Sequence, residues 1–533
     1  MARLQEKRVY WPLAILICLA ALVLRLTGIS FGYPLPIHPD EPKLVETALT
    51  ILNTRDPNPH FFDYPSLNIY IQAFIFAFMK ILKTIFMPRA EILPIHYYMA
   101  GRAFVSALSA ATVLFTMETA RRLFHPAAGL LAGTLLAVWP LHVANSYTAT
   151  VDAPVAFWCV LATLASSFIL MGSSRRLYYI LSGVFVGLAI SSKYTALIAA
   201  APLLVSHVYA VRNKQGKLLD SNIILGLLAI PIAFLLTTPY AVLDPMPFIK
   251  ALRFEAWHYR TGHPGAESNT WFSYDHYIRI LWDEGRSAIP LFLSSLGLLI
   301  TLRSDRVKAL LVISTPLFLF LVVGSYKVFF ARNIVAVLPY ASIFAGTGTF
   351  LLWRRALRIM KAGNRQRWIA QGALLILLFA FSYSVGLNTV YAVTEIREAT
   401  LPDTRWVCLN WITRNLPAGT SIGREHYTPP VEDFSDRFRA EYLGYYAVVR
   451  SPNQVNHVEY MIISSGDYGR FFADRERYQA EAEAYKSFMR KHELIHECAP
   501  QPGIMIGPTI QVYRLGENSS SAPSQQEVEA NGL

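Results

Sequence analysis

The sequence predicts a mainly α-helical, polytopic membrane protein of about eleven transmembrane helices, with interfacial helices in its first outer loop and a small C-terminal α/β extracytoplasmic domain. Three observations predict it. The 533 residues are 53% hydrophobic and only 16% charged, too little charge for a soluble enzyme of this length. The apolar residues gather in runs of roughly 17–25, the length a helix needs to cross a bilayer. The net charge of +12 falls in short basic loops between those runs, the distribution of a cytoplasmic membrane face rather than of a nucleic-acid-binding surface.

The first run, Trp11 to Phe31, follows Arg3, Lys7 and Arg8 and lacks a small-residue cleavage site, so it reads as a signal anchor with its N-terminus inside. Further spans are expected at about 100–122, 127–147, 153–171, 177–191, 194–211, 221–240, 287–303, 307–324, 333–353 and 368–391. Alternation then brings Arg121-Arg122, Arg175-Arg176, Arg212/Lys214/Lys217, Arg303/Arg306/Lys308 and the run from Arg354 to Arg367 to the cytoplasmic side. Ser66 to Phe86 is apolar too, but counting it as a span would reverse every later basic loop. It is therefore expected to lie in the interface. The N-terminus is placed in the cytoplasm and the whole chain in the plasma (inner) membrane.

Three long regions then face outward: about 32–99, 241–286, and everything after about Val393. The chain divides into a transmembrane module (1–395), an extracytoplasmic α/β domain (396–516) and a disordered tail (517–533). In the domain, Arg405–Leu416 reads as a helix stopped by Pro417-Ala418-Gly419, and Arg475–His492 as a long amphipathic helix. Tyr460–Ser464 and Ile510–Leu515 read as strands. Of the four cysteines, Cys18 and Cys159 fall in apolar runs, whereas Cys408 and Cys498 could pair in an oxidising compartment.

The chemistry-bearing residues collect on the outward side. His38-Pro39-Asp40-Glu41-Pro42-Lys43 places two adjacent carboxylates at the start of an amphipathic helix, where Asp40 could also serve as its cap. Asp63 and Asp152 are two further outer acids, each beside an apolar helix, where carboxylates are costly and usually functional. Lys43, Lys193, Lys327 and Arg332 supply cations at outer span ends. Snorkelling to lipid headgroups is the plainer account of Lys193, whereas Arg332 can grip a phosphate with two parallel hydrogen bonds. Asp63, His258 and His263 mark a possible acceptor or metal site, so a divalent metal is possible, and no cofactor is assigned. No Gly-rich phosphate loop or Walker motif is present, which argues against a nucleotide substrate.

In order, these features resemble the type C glycosyltransferases, above all the dolichyl-phosphate-mannose protein mannosyltransferases and the aminoarabinose-lipid A transferases. The resemblance rests on Asp40-Glu41 in the first outer loop and on Asp63-Tyr64-Pro65-Ser66-Leu67. It continues through Gly101-Arg102 opening a span that ends Ala120-Arg121-Arg122-Leu123-Phe124, then Ala149-Thr150-Val151-Asp152-Ala153-Pro154, and Arg332 ahead of Leu338-Pro339. Ser66 departs from the family's second proline, and Tyr64 stands where some relatives have lysine. The resemblance implies a polyprenyl-phosphate sugar donor, with Asp40 as the carboxylate base, Asp152 as the second acidic site and Arg332 as a donor-phosphate contact; Glu41 joins the catalytic set, and Lys43, Lys193 and Lys327 the donor-phosphate cations, by position alone. It also implies transfer with inversion to a protein, lipid or glycan acceptor, as in cell-envelope glycosylation, with membrane lipid and no nucleic acid as partners. A transporter or lipid-linked sugar flippase is the alternative class. It predicts broken helices at the bilayer midplane, whereas this chain places its acids at outer helix ends with long outer loops.

Overall fold

A computed structural model describes residues 2–515 apart from 174, 269, 271, 284–287 and 362–366. The expected tail 517–533, and part of the basic run ending at Arg367, lie outside the described residues. The fold divides into two compact units, residues 1–400 and 401 onward.

The first unit is helical. Among the described residues, eight helices are long and apolar enough to cross a membrane, and four shorter apolar helices accompany them. Setting Leu67–Phe86 apart leaves eleven. Three expected spans are not continuous α-helices. The 127–147 span stops at Ala137 and restarts as Pro140–Ala144, because Pro140 offers no N–H to continue the ladder. The 194–211 and 333–353 spans open as 3-10 turns, Tyr194–Ala200 and Ala331–Val337, before becoming α-helical. The helices approach closely through small residues. Gly183 and Gly187 face Gly226 O and Ile230 O, and a Cβ at Gly183 would overlap the neighbouring backbone. Helices in an apolar solvent associate through such contacts.

Helix Leu67–Phe86 is the apolar segment whose period matters most. It buries Leu67, Ile69, Ala73 and Phe76 and exposes Phe74, Phe78, Ile81 and Ile85. Its buried face packs on Leu44, Val45 and Ala48 of helix Glu41–Thr54 and on Ile95, Tyr97 and Tyr98 at the start of helix Pro94–Leu123. Leu67 N–H donates to Ser191 O, and Lys80 Nζ to Asn53 Oδ1 at 3.1 Å. The first half of the helix is thus tied to the Ser191 end of the bundle and the second half to helix Glu41–Thr54.

The second unit carries a five-stranded sheet of β1 (Ser421–Glu425), β2 (Arg439–Gly444), β3 (Tyr460–Ser464), β4 (Glu493–Cys498) and β5 (Ile510–Arg514). The order is β2-β1-β3-β5-β4; β1 pairs parallel with β2 and β3, and β5 antiparallel with β3 and β4. Its core gathers Met461, Ile463, Tyr485 and Tyr513. Sequence reading finds β3 and β5 but not β1, β2 or β4: β2 and β4 are the charged edge strands, and β1, though central, is a short Ser-Ile-Gly-Arg-Glu segment with no apolar run. Helix Thr404–Asn415 agrees with expectation; the amphipathic helix begins at Gln479 rather than Arg475. Cys408 and Cys498 are buried free thiols.

Candidate active site

Four segments converge at the end of the bundle that holds Leu67. The turn before helix Glu41–Thr54 brings Asp40, the first turn of helix Asp152–Leu170 brings Asp152, and the residue ahead of Tyr194–Ala200 is Lys193. The 3-10 turn Ala331–Val337 supplies Arg332 and Asn333. Arg332 Nη2 lies 3.2 Å from Asp40 Oδ2, and Arg332 Nε lies 4.0 Å from Asp152 Oδ2. Lys193 Nζ donates to Asp152 Oδ1 at 2.7 Å and to Asn333 Oδ1 at 2.9 Å. Asn333 Nδ2 in turn donates to Tyr277 Oη at 3.0 Å, which fixes its amide. Lys43 Nζ stands 3.7 Å from Asp40 Oδ1 and is largely solvated. Distant stretches of chain thus form one alternating array of two carboxylates and three cations.

The electrostatics follow from burial and pairing. Asp40 is 8% exposed. Burial alone would raise its pKa, but Arg332, with His38, Lys43 and Lys193, outweighs that and holds the carboxyl below its usual range. Asp40 makes no side-chain capping bond to its helix, so the capping role open to it in the sequence is not the one it adopts. Asp152 likewise sits inside the first turn of its helix rather than capping it. Lys193 points inward to Asp152, not outward to lipid headgroups.

Four expected site residues take other places. Glu41 is fully buried; it forms a two-pronged pair with Arg102 at 2.8 and 2.6 Å and accepts Ala149 N–H at 2.7 Å. Arg102 also donates to Ile29 O and Phe31 O. With every oxygen so committed, Glu41 ties the first helices to the 145–151 turn rather than facing a ligand. Lys327 pairs with Glu267 at 3.3 Å and donates to Thr261 O, closing its own loop instead of joining Arg332. His258 and His263 meet ring to ring at 5.4 Å. No group of three or more His, Cys, Asp or Glu that could hold a metal ion occurs among the described residues.

Asp63 borders a cavity of about 220 Å³ beside the array, together with Tyr64, Lys193, Glu255, Tyr259 and Asn333. Sequence reading misses Glu255, Tyr259 and Asn333. Glu255 and Tyr259 lie on helix Pro245–Thr261, whose composition carries no motif; adjacency to Arg332 was the available signal for Asn333.

Comparison with solved structures shows what the fold is similar to. ArnT from Cupriavidus metallidurans, solved with undecaprenyl phosphate, is 14% identical, with 95% of this chain and 99% of that chain covered at a TM-score of 0.57. The oligosaccharyltransferase AglB from Archaeoglobus fulgidus, solved with an inhibitory peptide and a dolichol-phosphate, is 12% identical, covering 92% and 73% at 0.56. The chain is an integral membrane protein with the fold of the type C glycosyltransferases. Residues 97–242 match the dolichyl-phosphate-mannose-protein mannosyltransferase family model. No curated protein sequence matches it.

Proposed function

We propose that this protein is an inverting glycosyltransferase that takes a sugar from a polyprenyl-phosphate donor and passes it to a hydroxyl of a protein, lipid or glycan acceptor on the non-cytoplasmic face of the plasma membrane. The observation that carries the reading is Arg332 held between Asp40 and Asp152, with Lys193 completing the set. The likeness in fold to proteins solved with undecaprenyl phosphate and dolichol-phosphate supports it. The side of the membrane is supported by the charges: the end of the bundle opposite the array carries Arg121-Arg122, Arg212 and Lys308.

The geometry suggests how the parts work. At rest each cation is matched by a carboxylate. An arriving lipid phosphate competes for Arg332 and Lys193, because a guanidinium binds phosphate with two parallel bonds. Asp40, relieved of its partner, then accepts the proton of the acceptor hydroxyl. The acceptor oxygen bonds to the anomeric carbon as the bond from that carbon to the phosphate oxygen breaks on the opposite face, and the phosphate departs with the electron pair. General-base assistance of this kind is worth ~10²–10⁴-fold, and cations fixed at the departing phosphate stabilise the charge that develops there.

The test is incubation of the purified protein in lipid with undecaprenyl-phosphate sugars and envelope extract. Consumption of one donor with release of undecaprenyl phosphate is expected. Translocation of intact donor without consumption would instead establish the flippase class.

A further inference from the structure

Every acid of the array has a partner, but the neighbouring cavity is different. Asp63 and Glu255 both line it, both are partly buried, and neither has a hydrogen bond or ion pair among the described residues. The hydroxyls of Tyr64 and Tyr259, on the same wall, likewise have no hydrogen-bond partner among the described residues. Four half-buried polar groups without partners, gathered around one small cavity, offer a polar ligand there a ready set of hydrogen-bonding partners. The cavity shares Lys193 and Asn333 with the array, so its occupant is joined to whatever Arg332 and Lys193 hold.

We propose that Asp63 and Glu255, with the Tyr64 and Tyr259 hydroxyls, form the pocket that holds the donor's sugar and read its hydroxyl groups while Arg332 and Lys193 hold the phosphate. This rests on the donor reading above. The chemistry of the lining selects the occupant. Carboxyl groups repel a phosphate or a second acid, and an apolar tail would leave all four groups unbonded. A sugar ring offers several O–H donors within the reach of such a wall.

The charges around Glu255 fit this role. Burial first, and Asp63 second, push its carboxyl up to about 7, opposed by Lys43 from the helix Glu41–Thr54 and by Lys193, with Asp40 adding to the rise. Asp63 is raised by its own burial, against Lys43 and His258. His258, one turn along from Glu255, is lowered by burial and by Lys43 and adds little positive charge. Near neutrality the pair therefore retains a proton, and so can both donate to and accept from hydroxyl groups.

The experiment compares binding of sugar-free undecaprenyl phosphate with that of undecaprenyl-phosphate sugars, by titration of the full chain in nanodiscs. For the native protein at least one sugar-bearing lipid should bind more tightly than the bare phosphate. In Glu255→Gln and Asp63→Asn that advantage should fall about tenfold, with bare-phosphate affinity kept, which also shows the variants to be folded. An advantage retained in both variants, or no sugar-bearing lipid favoured by the native protein, would overturn the sugar pocket. Failure of the native protein to bind bare undecaprenyl phosphate would instead overturn the donor reading beneath it.

Discussion

Arg332 lies 3.2 Å from Asp40 through Nη2, so the strongest cation of the site and its proposed base are joined before any ligand arrives. The pairing leaves Asp40 ionised but not free. It makes the base's availability depend on donor binding, since only a competing anion can draw the guanidinium away.

Arg332→Lys tests that coupling. Lysine keeps the charge and loses the planar fork, so donor KM should rise roughly tenfold while insertion is unaffected. Unchanged KM and turnover would remove Arg332 from the phosphate site.

Asp40→Asn is nearly isosteric, and Asp40 provides no capping bond whose loss could unfold its helix. Turnover should fall by ~10²-fold or more with donor affinity and thermal stability retained. Near-normal transfer at normal stability would return the base to another residue.

Glu41→Gln should behave in the opposite way. It strips the charge from a fully buried pair and leaves Arg102 uncompensated, at a cost of about 3–5 kcal/mol. The measurement is unfolding in detergent: a large drop in Tm is expected, whereas a stable but inactive protein would restore Glu41 to the chemistry.

The second unit should be sensitive to alkali. Glu425 is fully buried, with Oε2 unbonded, and burial, then Asp467, push its carboxyl up. A carboxyl whose folded pKa exceeds its unfolded one binds its proton more tightly when folded. Its stabilising effect is complete below about pH 4.5, the ordinary glutamate value, and is lost as pH rises through the raised value. Maleimide labelling of the buried Cys408 on heating should therefore begin at lower temperature at pH 9 than at pH 5. Glu425→Gln should flatten that difference.

A reporter active only in the cytoplasm, fused after Leu515, should give no signal. A strong signal would mean that Leu67–Phe86 crosses the membrane, despite its contacts with the helices on either side of it in sequence.

The sequence by itself determined the membrane class, the positions of the apolar helices and the end of the bundle at which the acids and cations collect. Those follow from local quantities: run length, hydropathy, and which loops carry basic residues. It could not decide which carboxylate does what. Asp40 and Glu41 are neighbours with the same chemistry, yet one pairs with Arg332 and the other is fully buried against Arg102. The helix start turns successive side chains in different directions, and only packing decides which one meets an arginine from elsewhere in the chain. Lys193 and Lys327 both read as cations at span ends, Lys193 the more readily explained by snorkelling. Tertiary structure gave one to Asp152 and the other to Glu267. Glu255 was silent because its meaning lies in the absence of a partner, and that depends on everything that folds around it.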